Sequence, residues 1–280
     1  MEQKITILVN SCDKYEDAWH PFFECLWLFA GELPYPIVLN TETKSFSSPH
    51  YDILTVNSPD SKTWSSRLLN VLEYIDTEFI FFLLDDYFLK DTFDRERFES
   101  VIDYMNIHPN VGIVDIRPRW AESEAENALN KERYKNIEDS FVERNENSFN
   151  ITCSPAIWRT SVLKSLLRAH EDVWSFEYYS GIRAKKYGIK VVRFYTRVPT
   201  IFEYDYQVWT GMGITSGHWL PKNKEFFDSL GIEVNFERLG ILDVATIDEI
   251  KKRNRLNIRL MAKKAIKKAK KRFNRWKSLK

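Results

Sequence analysis

Hydrophobic and polar positions alternate along the chain in two periods. The short apolar runs "ITILVNS" (5–11), "YPIVLNT" (35–41) and "YDILTVN" (51–57) have the length and β-branched content of strands. Between them, "DAWHPFFECLWLFAGEL" (17–33) carries a broad helical apolar face. "SSRLLNVLEYID" (65–76) places Leu68, Leu69, Val71, Leu72 and Ile75 at helical spacing. The densest run, Phe79 to Leu84 in "EFIFFLLDDYFLK", reads as a strand buried on both faces. It stops abruptly on two adjacent carboxylates, Asp85 and Asp86.

The alternation continues with a helix over 94–109 and a strand over 111–118. Residues 119–149 are polar, acid-rich and weakly patterned, and read as a long loop or an insertion. Helices are expected within 154–172 and over 175–188, the latter ending on Gly188, and a strand over 189–195. The Gly- and aromatic-rich stretch 204–219 reads as a loop. This rhythm predicts an α/β protein with a mostly parallel sheet flanked by helices. In such sheets ligands bind beyond the carboxyl ends of the strands. Two like charges at that rim call for a cation or a donor-rich ligand. A polar strand end leading into a turn is the plainer alternative.

Net charge alters the picture only when it is resolved along the chain. The formal total is +1, yet residues 251–280 hold 15 Lys and Arg and no acid, leaving a balance of −14 on the rest. Within that tail Ile258, Ala262, Ala265, Ala269, Phe273 and Trp276 recur every three or four residues. A cationic helix with one apolar, aromatic-ended stripe suits an anionic membrane surface. Phosphate contacts to nucleic acid would need no such stripe, so no nucleic-acid partner is expected. The division expected is a catalytic domain over 1–245 and a basic amphipathic tail over 246–280. Three scattered cysteines, Cys12, Cys25 and Cys153, suggest a reducing compartment. With no signal-peptide pattern and no run of about 20 apolar residues, a cytoplasmic location is expected.

In its motif order the chain resembles the GT-A nucleotide-sugar glycosyltransferases of bacterial surface-polysaccharide synthesis, over roughly residues 1–220. The opening strand and polar loop "ILVNSCDKY" stand where that family holds the nucleotide base. "SSRLLN" keeps the Arg of the family's Arg-Asn pair as Arg67, with Asn70 displaced. The family's DxD motif falls on Leu84-Asp85-Asp86, so its first acid is missing and Asp86 occupies the metal-ligating position. In "FEYYSGIRAKKYG" the Arg six residues and the Gly eleven residues after the catalytic acid match Arg183 and Gly188, with Glu177 as that acid.

The resemblance implies Mn²⁺ or Mg²⁺ held by Asp86, with His218 of "GMGITSGHW" as a second ligand, and Glu177 as the base of an inverting transfer. Chemically, a hard divalent cation takes one or two protein carboxylates and neutralises a departing diphosphate. Asp13, Asp60, Arg67 and Asp85 are candidates for contacts to the nucleotide-sugar donor. Open alternatives are His218 as a packing residue beside Trp219, Glu177 as a first-turn acid stabilised by the helix dipole, and Glu171 or Asp172 as the base. "SPAIWR" (154–159) resembles the family's acceptor-side strand and turn before the helix that follows. Trp158, Trp174, Tyr178 and Tyr179 offer faces for a sugar ring or for the core. The expected reaction moves a sugar, with a UDP-sugar favoured as donor, to a lipid-linked oligosaccharide at the cytoplasmic face of the inner membrane. A nucleotidyltransferase is the enzymatic rival, although no Gly- and Arg/Lys-rich phosphate loop follows the first strand. A catalytically silent glycan- or membrane-binding module of the same fold is the other rival.

Overall fold

The computed structural model describes residues 4–116, 137, 141–143, 151–194, 201–204, 213–250 and 252–253. The chain divides into two compact units, Met1–Asp205 and Tyr206–Lys280. Residues 213–245 lie in the second of these units. The basic tail beyond Arg253 lies outside the described residues, as does most of 119–149.

The first unit is built on one eight-stranded sheet. In chain order its strands are β1 (Ile5–Asn10), β2 (Ile37–Thr41), β3 (Ile53–Asn57), β4 (Phe79–Leu84), β5 (Val111–Asp115), β6 (Phe141–Glu143), β7 (Ala156–Arg159) and β8 (Lys190–Phe194). Their spatial order is β3-β2-β1-β4-β7-β5-β8-β6. Strands β1 to β4 are mutually parallel, and β5 pairs parallel with β8. Strand β7 runs antiparallel between β4 and β5, and β6 runs antiparallel on β8 at the edge. The expected α/β class and mostly parallel sheet are thus what the chain forms. Strand β6 is a departure, since it lies inside the segment read as a loop.

Helices α1 (Trp19–Ala30), α2 (Trp64–Val71), α3 (Arg95–Ile107), α4 (Thr160–Leu166) and α5 (Val173–Lys186) cover the sheet. Side-chain caps fix several of their starts. Thr63 and Ser66 form a reciprocal capping box on α2. Asp94 accepts the Arg97 N–H on α3, and Asp172 accepts the Ser175 N–H on α5. The segment 154–172 opens with a strand ahead of its helix. Ala156–Arg159 first cross the sheet as β7, because Ile157 and Trp158 find both faces of the sheet apolar there.

Strand β4 shows why its sequence is apolar throughout. Ile80 and Phe82 join a core with Trp158 and Phe176, against which Trp64 packs. The neighbouring side chain Phe81 faces the other way, against Phe93, Phe98 and Phe202. Each such ring contributes roughly 1.5–3 kcal/mol by leaving water.

In the second unit, β9 (Ile214–Thr215) and β10 (His218–Trp219) form a short hairpin, followed by helix α6 (Pro221–Leu230). The hairpin turn puts both Ser216 and Gly217 at positive φ, 53° and 85°, the backbone of a tight two-residue turn. The stretch expected as a loop therefore ends in paired strands.

Candidate functional site

The parallel strands end together, and their following residues gather at one rim. From β1 come Ser11, Cys12 and Asp13; from β2, Glu42; from β4, Asp85 and Asp86. Antiparallel β7 begins at this same rim. Because Phe82 pairs with Ala156, the segments 83–86 and 152–155 leave the sheet side by side.

Asp85 is 5% exposed and faces inward. Its carboxylate accepts a hydrogen bond from the Ser11 hydroxyl, and Ser11 Oγ in turn accepts the Trp19 indole N–H at 2.6 Å. Burial, and then the Asp86 charge beside it, push the Asp85 pKa well above the ordinary carboxyl range, against the pull of Ser11 and Trp19. Asp86 is half-buried. The same acids reach two neighbours. Burial, Asp85 and Glu42 raise the Cys12 thiol to about 11, with Arg67 opposing. Burial, Cys12, Asp85 and Asp86 raise the Tyr15 phenol.

Arg67, on the first turn of α2, pairs with Glu42 at 2.7 Å, and its buried Nε lacks a hydrogen-bond partner among the described residues. Asp13 turns toward the loop after β2. Its carboxylate accepts the N–H groups of Glu42, Thr43 and Lys44 at 3.1–3.2 Å, together with the Thr43 hydroxyl. Burial opposes this arrangement, but the Thr43, Lys44 and Glu42 hydrogen bonds prevail and lower the Asp13 pKa. Asp60 is exposed in the turn between β3 and α2.

On the opposite flank, Glu177 lies in the second turn of α5, so the first-turn position expected for a dipole-stabilised acid is held by other residues. Its Oε1 accepts the Cys153 N–H at 2.7 Å, which ties it to the segment beside Asp85 and Asp86. The rival bases have other partners. Glu171 is 4% exposed and forms a two-pronged pair with Arg183, at 2.7 and 2.6 Å. Asp172 caps α5. Trp158 is core at 1% exposure, whereas Trp174, Tyr178 and Tyr179 are exposed.

His218 belongs to the second unit. Its Nδ1 donates to the Leu239 carbonyl. Metal-ligating histidines are commonly oriented by such a bond.

Residues that sequence reading passed over complete the rim. Glu42 bridges Arg67 and the Asp13 N–H, Tyr15 senses both strand-end acids, and buried Asp115 closes β5. Their signal was position alone, since each stands at or just past the end of a strand. Among the described residues no three His, Cys, Asp or Glu side chains are arranged to hold a metal ion. The Asp85–Asp86 pair is an all-oxygen donor set of one or two carboxylates. Such a set fits Mg²⁺ or Mn²⁺ completed by water and diphosphate oxygens, not a cage made by protein alone.

No protein-family model and no curated protein matches the chain. Among solved structures it is similar to S. aureus TarS 1–349, with 10% identity over 70% of this chain and 60% of that one, at a TM-score of 0.43. It is similar to the mannosyltransferase PcManGT from Pyrobaculum calidifontis in complex with GDP-Man and Mn²⁺, with 12% identity over 71% of this chain and 58% of that one, at 0.47. A cytidylyltransferase from Leptospira borgpetersenii shares 11% identity over 90% and 95%, at 0.45. The chain spans less than two thirds of the length of the first two. Each shares a partial chain trace with this protein and nothing finer.

Proposed function

We propose that the protein is a metal-dependent, inverting glycosyltransferase that takes a sugar from a nucleotide-diphosphate donor, a UDP-sugar being favoured. The observation that carries the reading is the meeting, at one sheet rim, of the Asp85–Asp86 pair and the segment that Glu177 holds. A divalent cation at Asp86 would supply charge neutralisation for the departing diphosphate. Asp85, anchored by Ser11 and Trp19, fixes the direction in which Asp86 leaves the strand. Glu177 accepts the proton of the acceptor hydroxyl as that oxygen attacks the sugar from the face opposite the leaving group. Arg67 and Asp60 would contact the donor, and Asp13 would shape that side through its hold on residues 42–44.

A nucleotidyltransferase reading is less well supported. The turn after β1 is the acidic Ser11-Cys12-Asp13, with no Gly-rich cradle for a triphosphate. The acceptor we assign is a lipid-linked oligosaccharide of bacterial surface-polysaccharide synthesis. The enzyme would lie on the cytoplasmic face of the inner membrane, held there by residues 250–280. Among the described residues no helix is long and apolar enough to cross a bilayer.

Calorimetry against UDP, GDP, CMP and dTDP, with and without Mn²⁺, tests the donor site. The expected result is a Mn²⁺-dependent response to one diphosphate, lost in Asp86→Ala. A folded protein that responds to none of them would reject glycosyl transfer in favour of a silent binding module.

A further inference from the structure

Helix α5 is amphipathic in the unusual sense that its outward face is the more conspicuous apolar one. Phe176, Ser180, Gly181 and Ala184 are turned inward. Outward stand Trp174 at 75% exposure, Tyr178 at 59%, Ile182 at 51% and Tyr179 at 49%. Trp174, Tyr178 and Ile182 follow one another at intervals of four and so form one stripe, roughly 12 Å long. The exposed Lys185 and Lys186 end it. Among the described residues, no acid of α5 itself stands on this face. Glu177 is half-buried on the Cys153 N–H, Glu171 is buried on Arg183, and Asp172 is committed to the helix cap.

Four large exposed side chains on one short helix are more than scattered surface apolarity requires. Their chemistry distinguishes between occupants. A sugar ring would use one aromatic face with polar side chains around it, and Ile182 offers hydroxyl groups nothing. Trp and Tyr at the water boundary, an aliphatic side chain on the same line and lysines at one end fit a bilayer interface. The lysines are complementary to anionic headgroups, as are the 15 Lys and Arg of residues 251–280.

We propose that the outward face of α5 docks on an anionic lipid surface, as a membrane contact separate from the basic tail. The proposal deepens the glycosyl-transfer reading and rests on it for one consequence. The helix that touches the leaflet also carries Glu177, so docking sets the base beside the headgroup layer where a lipid-linked acceptor presents its hydroxyl.

The test uses the full chain carrying Ile182→Cys, labelled with an environment-sensitive thiol dye near neutral pH. Cys25 and Cys153 are buried, and half-buried Cys12 is replaced in the same protein by Cys12→Ser, so the dye goes to position 182. Vesicles of phosphatidylcholine with about 30 mol % phosphatidylglycerol should shift the emission to the blue, and brominated acyl chains should quench it. Adding Trp174→Ser and Tyr178→Ser to the labelled protein should lower partitioning about a hundredfold, since each large side chain leaving water is worth about a decade. These positions are exposed, and an unchanged thermal melt confirms folding. Co-sedimentation with vesicles and no spectral shift would overturn the proposal, leaving the tail as the whole anchor. A lipid-free shift on adding soluble oligosaccharide, or on concentrating the protein, would overturn it in favour of a glycan platform or a second copy. No nucleotide is present, so a failure here leaves the calorimetric test of glycosyl transfer untouched.

Discussion

Asp13 shows how a residue's neighbours decide its role. By position it is a nucleotide contact, and in the structure its carboxylate collects three backbone N–H groups from the loop after β2. Asp13→Ala should therefore lower stability by about 1–2 kcal/mol in urea unfolding. Asp13→Asn should recover part of this, because the amide oxygen still accepts. The same limit applies to the tryptophans. Trp158 and Trp174 look alike in sequence, yet one is 1% and the other 75% exposed. Asp85 and Asp86 are the contrary case, since a strand buried on both faces must release its first charges at the rim. Their location was legible, whereas the inward turn of Asp85 toward Ser11 and Trp19 was not.

At the scale of the element, α5 separates three acids that sequence left as rivals. Glu171 neutralises Arg183 away from water, so Glu171→Ala strands a guanidinium and should cost about 3–5 kcal/mol of stability. Glu177→Gln keeps an acceptor for the Cys153 N–H and should melt close to wild type, while transfer falls about 10²–10⁴-fold. Near-normal turnover in Glu177→Gln would place the base elsewhere. The period of the helix was visible in "FEYYSGIRAKKYG", as was its end near Gly188. Strand β7 was legible only through the resemblance of "SPAIWR", because "AIWR" is too short to show a period of its own. Strand β6 was hidden for a similar reason, with three residues inside a polar stretch.

Taken as a whole, the molecule carries a pH limit set by its thiols. Burial, with the Glu24 carboxylate adding to it, raises the Cys25 thiol from 9.0 to about 12, and Cys12 rises to about 11. A raised pKa means that the folded state holds the proton more tightly than the unfolded chain. The stabilisation is complete below pH 9.0 and is lost as pH rises toward about 12. Each thiol withdraws at most about 1.4 kcal/mol per pH unit across its window. Urea midpoints taken from about pH 9 to about pH 11 should fall more steeply in wild type than in Cys25→Ala; equal slopes would refute the assignment. At this scale the sequence alone determined the α/β class, the strand that delivers two carboxylates to a rim, and the separation of an acidic body from a basic tail. Those follow from local periodicity and charge, which each segment carries by itself. Only the tertiary structure decided that Asp13 serves a loop, that Glu171 belongs to Arg183, that Glu177 reaches the segment beside Asp85, and that the aromatic face of α5 is turned to solvent. These are pairings between residues far apart in the chain, and what a side chain does is set by the partner that folding brings to it.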